Sequence, residues 1–135
     1  MIYGIGTDIV TVARMRDSLA RHGERFAQRL LHPLELEAYA KAREPERFLA
    51  KRFAAKEAFS KALGTGLRPP ATLSAIGVSH DELGKPLYVF GEALAEHLAG
   101  LGLSAHLSIS DEREHVIGDE ELDLFQVALE MGEDA

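Results

Sequence analysis

Apolar residues recur along this chain with two periods, and the switches between them lay out its elements. From Ile2 to Val12 the pattern alternates loosely and is rich in β-branched residues, which predicts a first strand in which Gly4 and Gly6 allow close backbone packing. From Thr11 the spacing becomes three and four, through Val12, Met15 and Leu19, a helix closed by Gly23. A short second helix has Phe26 and Leu30 as its apolar positions, and His32-Pro33 starts a third, through Leu36 and Tyr39 to about Ala42. The longest helix runs from Glu46 to Leu63 without an interrupting proline, with Pro45 tolerated in its first turn and Gly64 and Gly66 as its stop. After the turn Arg68-Pro69-Pro70, Ser74–Ser79 and Pro86–Phe90 read as strands joined by the hairpin turn Asp81–Lys85. Gly91 opens a helix from Glu92 to Ala99, ended by Gly100-Leu101-Gly102. Ala105–Ser110 alternates as a strand, with His106, Ser108 and Ser110 on one face. Asp111–Asp123 reads as turn-like and acidic, Leu124–Glu130 as an alternating strand or a short helix, and the tail after Met131 as frayed. This order predicts an α+β fold, a largely antiparallel sheet packed on the long helix, in one domain spanning 1–135.

The long helix is apolar on two sides. Phe48, Ala55, Phe59 and Ala62 fall on one stripe; Ala50, Phe53, Ala54, Glu57 and Lys61 fall opposite. Such a helix is expected between two layers, which puts the Glu57 carboxylate among alanines and a phenylalanine. There it needs a cation, a hydrogen-bond partner or a proton. The plainer alternative is an exposed pair with Lys61 at i+4, worth roughly 0.3–0.5 kcal/mol. Asp8, between Thr7 and Ile9 in the first strand, is a second carboxylate in an apolar stretch. It marks either a site or a strand end where it bonds backbone. Gly64-Thr65-Gly66 is either an anion-binding turn or only a helix cap. It is not a Walker A loop, because glycine follows the helix and the GK[ST] element is missing.

Composition narrows the chemistry. The chain has 135 residues and no cysteine, so disulfides and thiol catalysis are excluded and a metal would need oxygen or histidine ligands. Its N-terminus lacks the basic region of a signal peptide, and no apolar run reaches the roughly 20 residues of a membrane span. A soluble cytoplasmic protein is expected. The net charge of −7 is unevenly spread: residues 111–135 hold ten of the 22 acids and one base, Arg113. The remainder is slightly basic, and Arg14, Arg16, Arg21, Arg25 and Arg29 cluster against Asp17 and Glu24. That face suits an acidic partner or is merely solvated. A nucleic acid fits less well than an acidic protein surface, since Phe26 is the one aromatic among the arginines and the pI is acidic.

Gly4-Ile5-Gly6-Thr7-Asp8-Ile9-Val10, and Arg52-Phe53-Ala54-Ala55-Lys56-Glu57-Ala58 running to Lys61-Ala62-Leu63-Gly64-Thr65-Gly66, resemble the holo-acyl-carrier-protein synthases, the bacterial 4′-phosphopantetheinyl transferases of fatty-acid synthesis. The similarity continues through Arg25-Phe26, Arg29-Leu30-Leu31, Gly84-Lys85-Pro86 and Leu107-Ser108-Ile109-Ser110, to about residue 113. It implies magnesium-dependent transfer of the phosphopantetheine arm of coenzyme A to a serine of apo acyl carrier protein, with release of adenosine 3′,5′-bisphosphate. By the resemblance, Asp8 and Glu57 hold the metal and Lys61 touches the phosphates. Gly64, Thr65 and Gly66 cradle the nucleotide end, and Lys85, Pro86 and Ser110 border the coenzyme. Glu57 is then the expected base for the serine proton, directly or through a water. Carrier proteins of this kind are strongly acidic, so Arg14, Arg21, Arg25 and Arg29 become the docking arginines. The resemblance also implies a homotrimer with active sites between subunits, in which the Ser108–Asp111 strand of one copy faces Asp8 and Glu57 of the next.

Two departures stand out. Many members carry a histidine where Asp111-Glu112-Arg113 stands here, so no role for that histidine carries over. Ile117–Asp123 intervenes where the family usually continues with a small-residue strand, so either a loop is lengthened or the last strand is shifted to Leu124–Leu129. This acidic loop is expected to face away from the coenzyme, and the segment 111–123 and the tail 131–135 are atypical of the family. The alternative from another class is a non-catalytic module that binds acidic carrier proteins. A further rival, an RNA-binding domain using the arginine helix, would show salt-dependent nucleic-acid binding.

Overall fold

The structure, a computed structural model, describes the backbone of residues 2–117 and 120–133 and the side chains of residues 2–110 and Gly132. The elements run β1 (Ile2–Thr11), α1 (Val12–His22), α2 (Glu24–Leu30), α3 (Leu36–Ala40), α4 (Pro45–Leu63), β2 (Ile76–His80), β3 (Pro86–Phe90), α5 (Glu92–Leu101), β4 (Leu103–Ile117) and β5 (Glu120–Glu133). One sheet has the order β1-β5-β4, a second is the hairpin β2-β3, and every pairing is antiparallel. This is the predicted α+β class.

As its two apolar stripes require, α4 is covered on both sides. On one side lies β1. Its inward residues are Gly4, Gly6, Asp8 and Val10, while Tyr3, Ile5, Thr7 and Ile9 are exposed. The approach is close enough to demand glycine. A Cβ on Gly4 would sit 2.1 Å from the Ala62 carbonyl oxygen, and one on Gly6 1.9 Å from that of Ala58. Strand backbone therefore rests on helix backbone, and the alanines of α4 are what permit it. On the other side the β2-β3 hairpin packs its aromatics on Phe59, whose ring centroid lies 5.3 Å from Tyr88 and 5.1 Å from Phe90. Burying a Phe side chain contributes roughly 1.5–3 kcal/mol, and Tyr88 also donates its hydroxyl hydrogen to the Ala55 carbonyl.

Several predicted boundaries move. Val12 begins α1 and does not end β1; it turns to the core, where it is 4% exposed. The strand read as Ser74–Ser79 is Ile76–His80, because Leu73–Ala75 forms a 3-10 turn closed by Ala75 N–H on the Thr72 carbonyl. The helix after Gly91 runs through Gly100, and its stop is Gly102 in the left-handed conformation. The acidic stretch Asp111–Asp123 is not turn-like over its described backbone. Residues 111–117 pair with β5, down to Ile117 opposite Glu120, and Leu124–Glu130 is strand and not helix. Hydrogen bonding to a neighbouring strand outweighs the poor β propensity of acidic residues. Which way the side chains of 117–123 face, and the tail residues 134–135, lie outside the described residues; β5 itself continues past Met131 to Glu133.

Candidate active site

The β1–α4 contact brings Asp8, Glu57 and Lys61 together. With Gly4 seated on Ala62 and Gly6 on Ala58, the next inward position, Asp8, arrives beside Glu57, close enough for its charge to push the Glu57 carboxyl up. Burial is the larger cause of that upward shift, and Lys61 and Arg14 pull the other way. Asp8 Oδ1 accepts from Lys61 Nζ at 3.0 Å, and the same ammonium donates to the Thr7 carbonyl at 3.1 Å. Lys61 thus bonds to Asp8 and not to Glu57 as a simple i+4 pair. Asp8 Oδ2 is buried and has no hydrogen-bond partner among the described residues.

An orphaned carboxylate oxygen next to a second, destabilised carboxylate is an arrangement that a divalent cation relieves. Among the described residues no group of three or more acidic or histidine ligands exists. Two carboxylates are nevertheless what magnesium commonly takes from a protein, with waters and phosphate oxygens completing its shell. The residues present fit such an ion.

The expected glycine turn follows α4. Gly64 (φ 88°) is a left-handed cap whose N–H donates to the Ser60 carbonyl at 3.0 Å, so this N–H is spent on the helix and an anion must be met by its neighbours. Thr65 Oγ1 donates to the Gly66 carbonyl at 3.0 Å, and all three residues are exposed. Lys85, Pro86 and Ser110 lie elsewhere. Pro86 lines a concavity of about 180 Å³ with Lys51, His80, Gly84 and Ile109, flanked in sequence by exposed Lys85 and Ser110. Lys51 and Lys61 are ten residues apart on α4, about 15 Å along the axis. The residues expected to meet the coenzyme therefore fall into two groups along one helix.

The four arginines expected to dock a carrier also divide. Arg21, Arg25 and Arg29 line a concavity of about 520 Å³ with Ser18, His22 and Phe26. Arg14 instead lies over the Phe53 ring, 5.5 Å from its centroid, beside Glu57.

Two groups escaped the sequence reading. One is a basic groove of about 320 Å³ lined by Arg43, Arg47, Lys51, Arg52 and His80 among others; the i, i+4 spacing of Arg47 and Lys51 was its available signal. Burial first, then Arg52 and Lys51, hold the His80 imidazole below its usual pKa. The other is a buried cluster of Glu35, Arg52 and Lys56, at most 7% exposed. Glu35 Oε1 accepts from Lys56 Nζ at 2.6 Å, and Glu35 Oε2 lies 3.5 Å from Arg52 Nε. Two like charges at i, i+4 on α4, Arg52 and Lys56, were the available signal for a shared anion.

Burial pushes the Lys56 ammonium down to about 8, against the pull of Glu35. The unfolded chain, with lysine near 10.5, then holds more protons than the folded one between these values, so this residue's contribution to stability rises with pH across that window. Urea midpoints taken from pH 8 to 10 are expected to climb in the wild type relative to Lys56→Met; parallel curves would refute this.

The chain matches the 4′-phosphopantetheinyl transferase superfamily over residues 4–118. It is similar to a holo-[acyl-carrier-protein] synthase from Azoarcus sp. strain BH72, 62% identical over 117 residues, which make up 87% of this chain and 94% of the relative. It is similar in structure to the holo-[acyl-carrier-protein] synthase of Neisseria meningitidis, with a TM-score of 0.84 and 46% identity over 96% of this chain and 98% of the other. A holo-(acyl-carrier-protein) synthase from Bacillus anthracis, crystallised with coenzyme A, superposes with a TM-score of 0.71 and 34% identity over 96% and 97% of the two chains. No helix among the described residues is long and apolar enough to cross a membrane.

Proposed function

The chain belongs to the 4′-phosphopantetheinyl transferase superfamily, and from that premise we propose that it is a holo-[acyl-carrier-protein] synthase. It transfers 4′-phosphopantetheine from coenzyme A to a serine of apo acyl carrier protein and releases adenosine 3′,5′-bisphosphate. The observation that carries this reading is the unpartnered Asp8 oxygen beside Glu57, the two carboxylates being held together by the glycine contact between β1 and α4.

In the transfer, the serine oxygen forms a bond to phosphorus as the bond from phosphorus to the departing nucleotide breaks. Glu57 takes the serine proton, directly or through a water. Burial and Asp8 shift its carboxyl upward in the metal-free chain, toward the range in which a carboxylate can accept a proton. Asp8 and Glu57 would hold magnesium, which when bound supplies charge neutralisation at the diphosphate. Lys61, anchored on Asp8 and the Thr7 carbonyl, offers its remaining N–H to a phosphate oxygen. The amides of Thr65 and Gly66 face the nucleotide end. The groove of Arg43, Arg47 and Lys51, continuous through His80 with Pro86, offers the positive charge that the rest of the coenzyme would need.

Ser110 takes part from a neighbouring copy. We infer a homotrimer, supported by the resemblance and by the exposed apolar face of β1, where Tyr3, Ile5 and Ile9 are 52%, 63% and 59% exposed. We further infer a cytoplasmic enzyme of fatty-acid synthesis. The deciding experiment is the mass of apo carrier protein incubated with coenzyme A, magnesium and the enzyme. A phosphopantetheine-sized increase supports transfer; binding without it favours the non-catalytic module.

Arg21, Arg25 and Arg29 receive the acidic carrier, and Arg14 reaches it nearest the reacting serine. Charge reversal at Arg21 or Arg25 is expected to raise the carrier KM roughly tenfold and leave the coenzyme A KM within about twofold, since opposing charges at an interface rim set encounter and register. An unchanged carrier KM refutes the assignment. Reversal at Arg14 is expected to lower kcat as well, because its charge also acts on Glu57.

A further inference from the structure

Lys56 immediately precedes Glu57 yet points the other way, into the core, where it is 0% exposed. Its ammonium donates to three acceptors drawn from three separate parts of the chain: the Leu30 carbonyl, Glu35 Oε1 at 2.6 Å and the Leu73 carbonyl at 3.0 Å. Leu30 is the last residue of α2, whose chain then turns extended at Leu31. Its carbonyl is one of those a helix end leaves without an internal partner, and a cation there also meets the negative end of the helix dipole. Lys56 therefore caps α2 from inside the core.

That helix has seven residues, far below the length at which a helix holds itself together. It needs tertiary ties to keep its place. Glu35 completes this one. Its carboxylate accepts from His32 N–H at 2.8 Å and Val78 N–H at 3.1 Å as well as from Lys56, with Arg52 alongside. The turn after α2, the middle of β2 and α4 are thus gathered on one buried carboxylate. Arg25 and Arg29 ride on α2, and Glu57 is one residue from the ammonium that caps it.

We propose that Lys56 is a positioning residue that holds the arginine helix in register with Glu57, so that a docked carrier presents its serine to that carboxylate. The proposal rests on the transferase reading given above. A helix set loose by loss of the cap would still carry its arginines, but not at a fixed distance from the reacting atoms. Coenzyme A would be held almost as before, because Asp8 and Lys61 make no use of the Lys56 ammonium, and Arg52 of the basic groove keeps its own place on the other oxygen of Glu35.

The test is a double-mutant cycle in carrier modification, using full-length wild type, Lys56→Met, Arg25→Glu and the double variant, each checked for native circular dichroism at the assay temperature. Lys56→Met is expected to raise the carrier KM about tenfold, equivalent to roughly 1.4 kcal/mol, with the coenzyme A KM within about twofold. Arg25→Glu is expected to cost clearly less in the Lys56→Met background than alone, the mark of coupled residues. A merely structural lysine would lower the melting temperature and leave that split unmoved. Glu35→Gln keeps the shape of the carboxylate without its charge. Because Glu35 also pairs with Arg52 of the basic groove, it is read by its coupling to Arg25→Glu and not by the coenzyme A KM, and it decides the matter if Lys56→Met does not fold. Active, folded variants with wild-type carrier KM, equal losses for both substrates, or additive effects with Arg25→Glu each overturn the positioning role. A wild type that modifies no carrier would instead overturn the transferase reading.

Discussion

Glu57→Gln is expected to abolish carrier modification, by at least about a thousandfold in kcat/KM, while leaving the protein as stable as the wild type or more so. The two halves have one cause. Burial and the neighbouring Asp8 both disfavour the ionised Glu57 carboxylate, so the folded chain bears a cost for keeping a negative charge there. Glutamine has the same shape without the charge and relieves it, whereas general-base catalysis alone is worth about 10²- to 10⁴-fold and charge stabilisation at the phosphoryl group adds to this. A residue that destabilises its fold but is needed for turnover marks a functional site. Carrier mass spectrometry gives the activity, and thermal unfolding gives the stability. Transfer at near wild-type rate would sink the chemistry proposed here. A large loss of stability with Glu57→Gln would show that this carboxylate serves packing.

Gly6→Ala is expected to produce a larger structural effect than alanine at Gly77 or Gly91. The new Cβ would lie 1.9 Å from the Ala58 carbonyl oxygen and 2.8 Å from the Ala62 nitrogen. Both are backbone atoms of α4, so no side-chain rotation removes the clash and strand and helix must separate. Overpacking of a core usually costs about 1–3 kcal/mol and occasionally more; with backbone on both sides the upper end is expected. Activity should be lost along with stability, because Asp8 is the next inward residue of the same strand and moves with it. Gly91→Ala is the control. Its nearest neighbours would be 3.6 Å away and its φ of −61° suits alanine, so urea midpoints should fall sharply for Gly6→Ala and hardly for Gly91→Ala. Equal midpoints would mean that β1 does not lie on α4 as described.

Much of this architecture was legible beforehand because its signals are local. A proline-free run of alanines, lysines and glutamates between Pro45 and Gly64 is a helix by propensity and capping alone, and its two apolar stripes announced two covering layers. The β2-β3 turn was equally plain: Asp81 Oδ1 accepts from Leu83 and Lys85 N–H at 2.9 Å each, with Gly84 at φ 85°. The long β4-β5 arm was not. Apart from Val116-Ile117, little within Asp111–Asp123 favours a strand, and the pairing of its described residues comes from a partner segment, which local composition does not reveal. Lys56 and Glu35 were hidden for a related reason. Adjacent charged residues on a helix look alike in sequence, and only packing decides that Lys56 turns inward and Glu57 toward Asp8.

The order of residues by itself determined the α+β class, the extent of α4, the two out-of-place carboxylates and the basic early helices, since each follows from side-chain chemistry and short-range geometry. Only the tertiary structure decided that β1 lies on α4 backbone to backbone, that Asp8 thereby reaches Glu57 and Lys61, that Arg14 parts company with the other arginines, and that the lysine preceding Glu57 turns into the core and donates to the last carbonyl of α2. The physical reason is distance along the chain. Asp8 and Glu57 are 49 positions apart, and no periodicity or capping rule spans such a gap; it is closed by two glycines meeting two alanines in space.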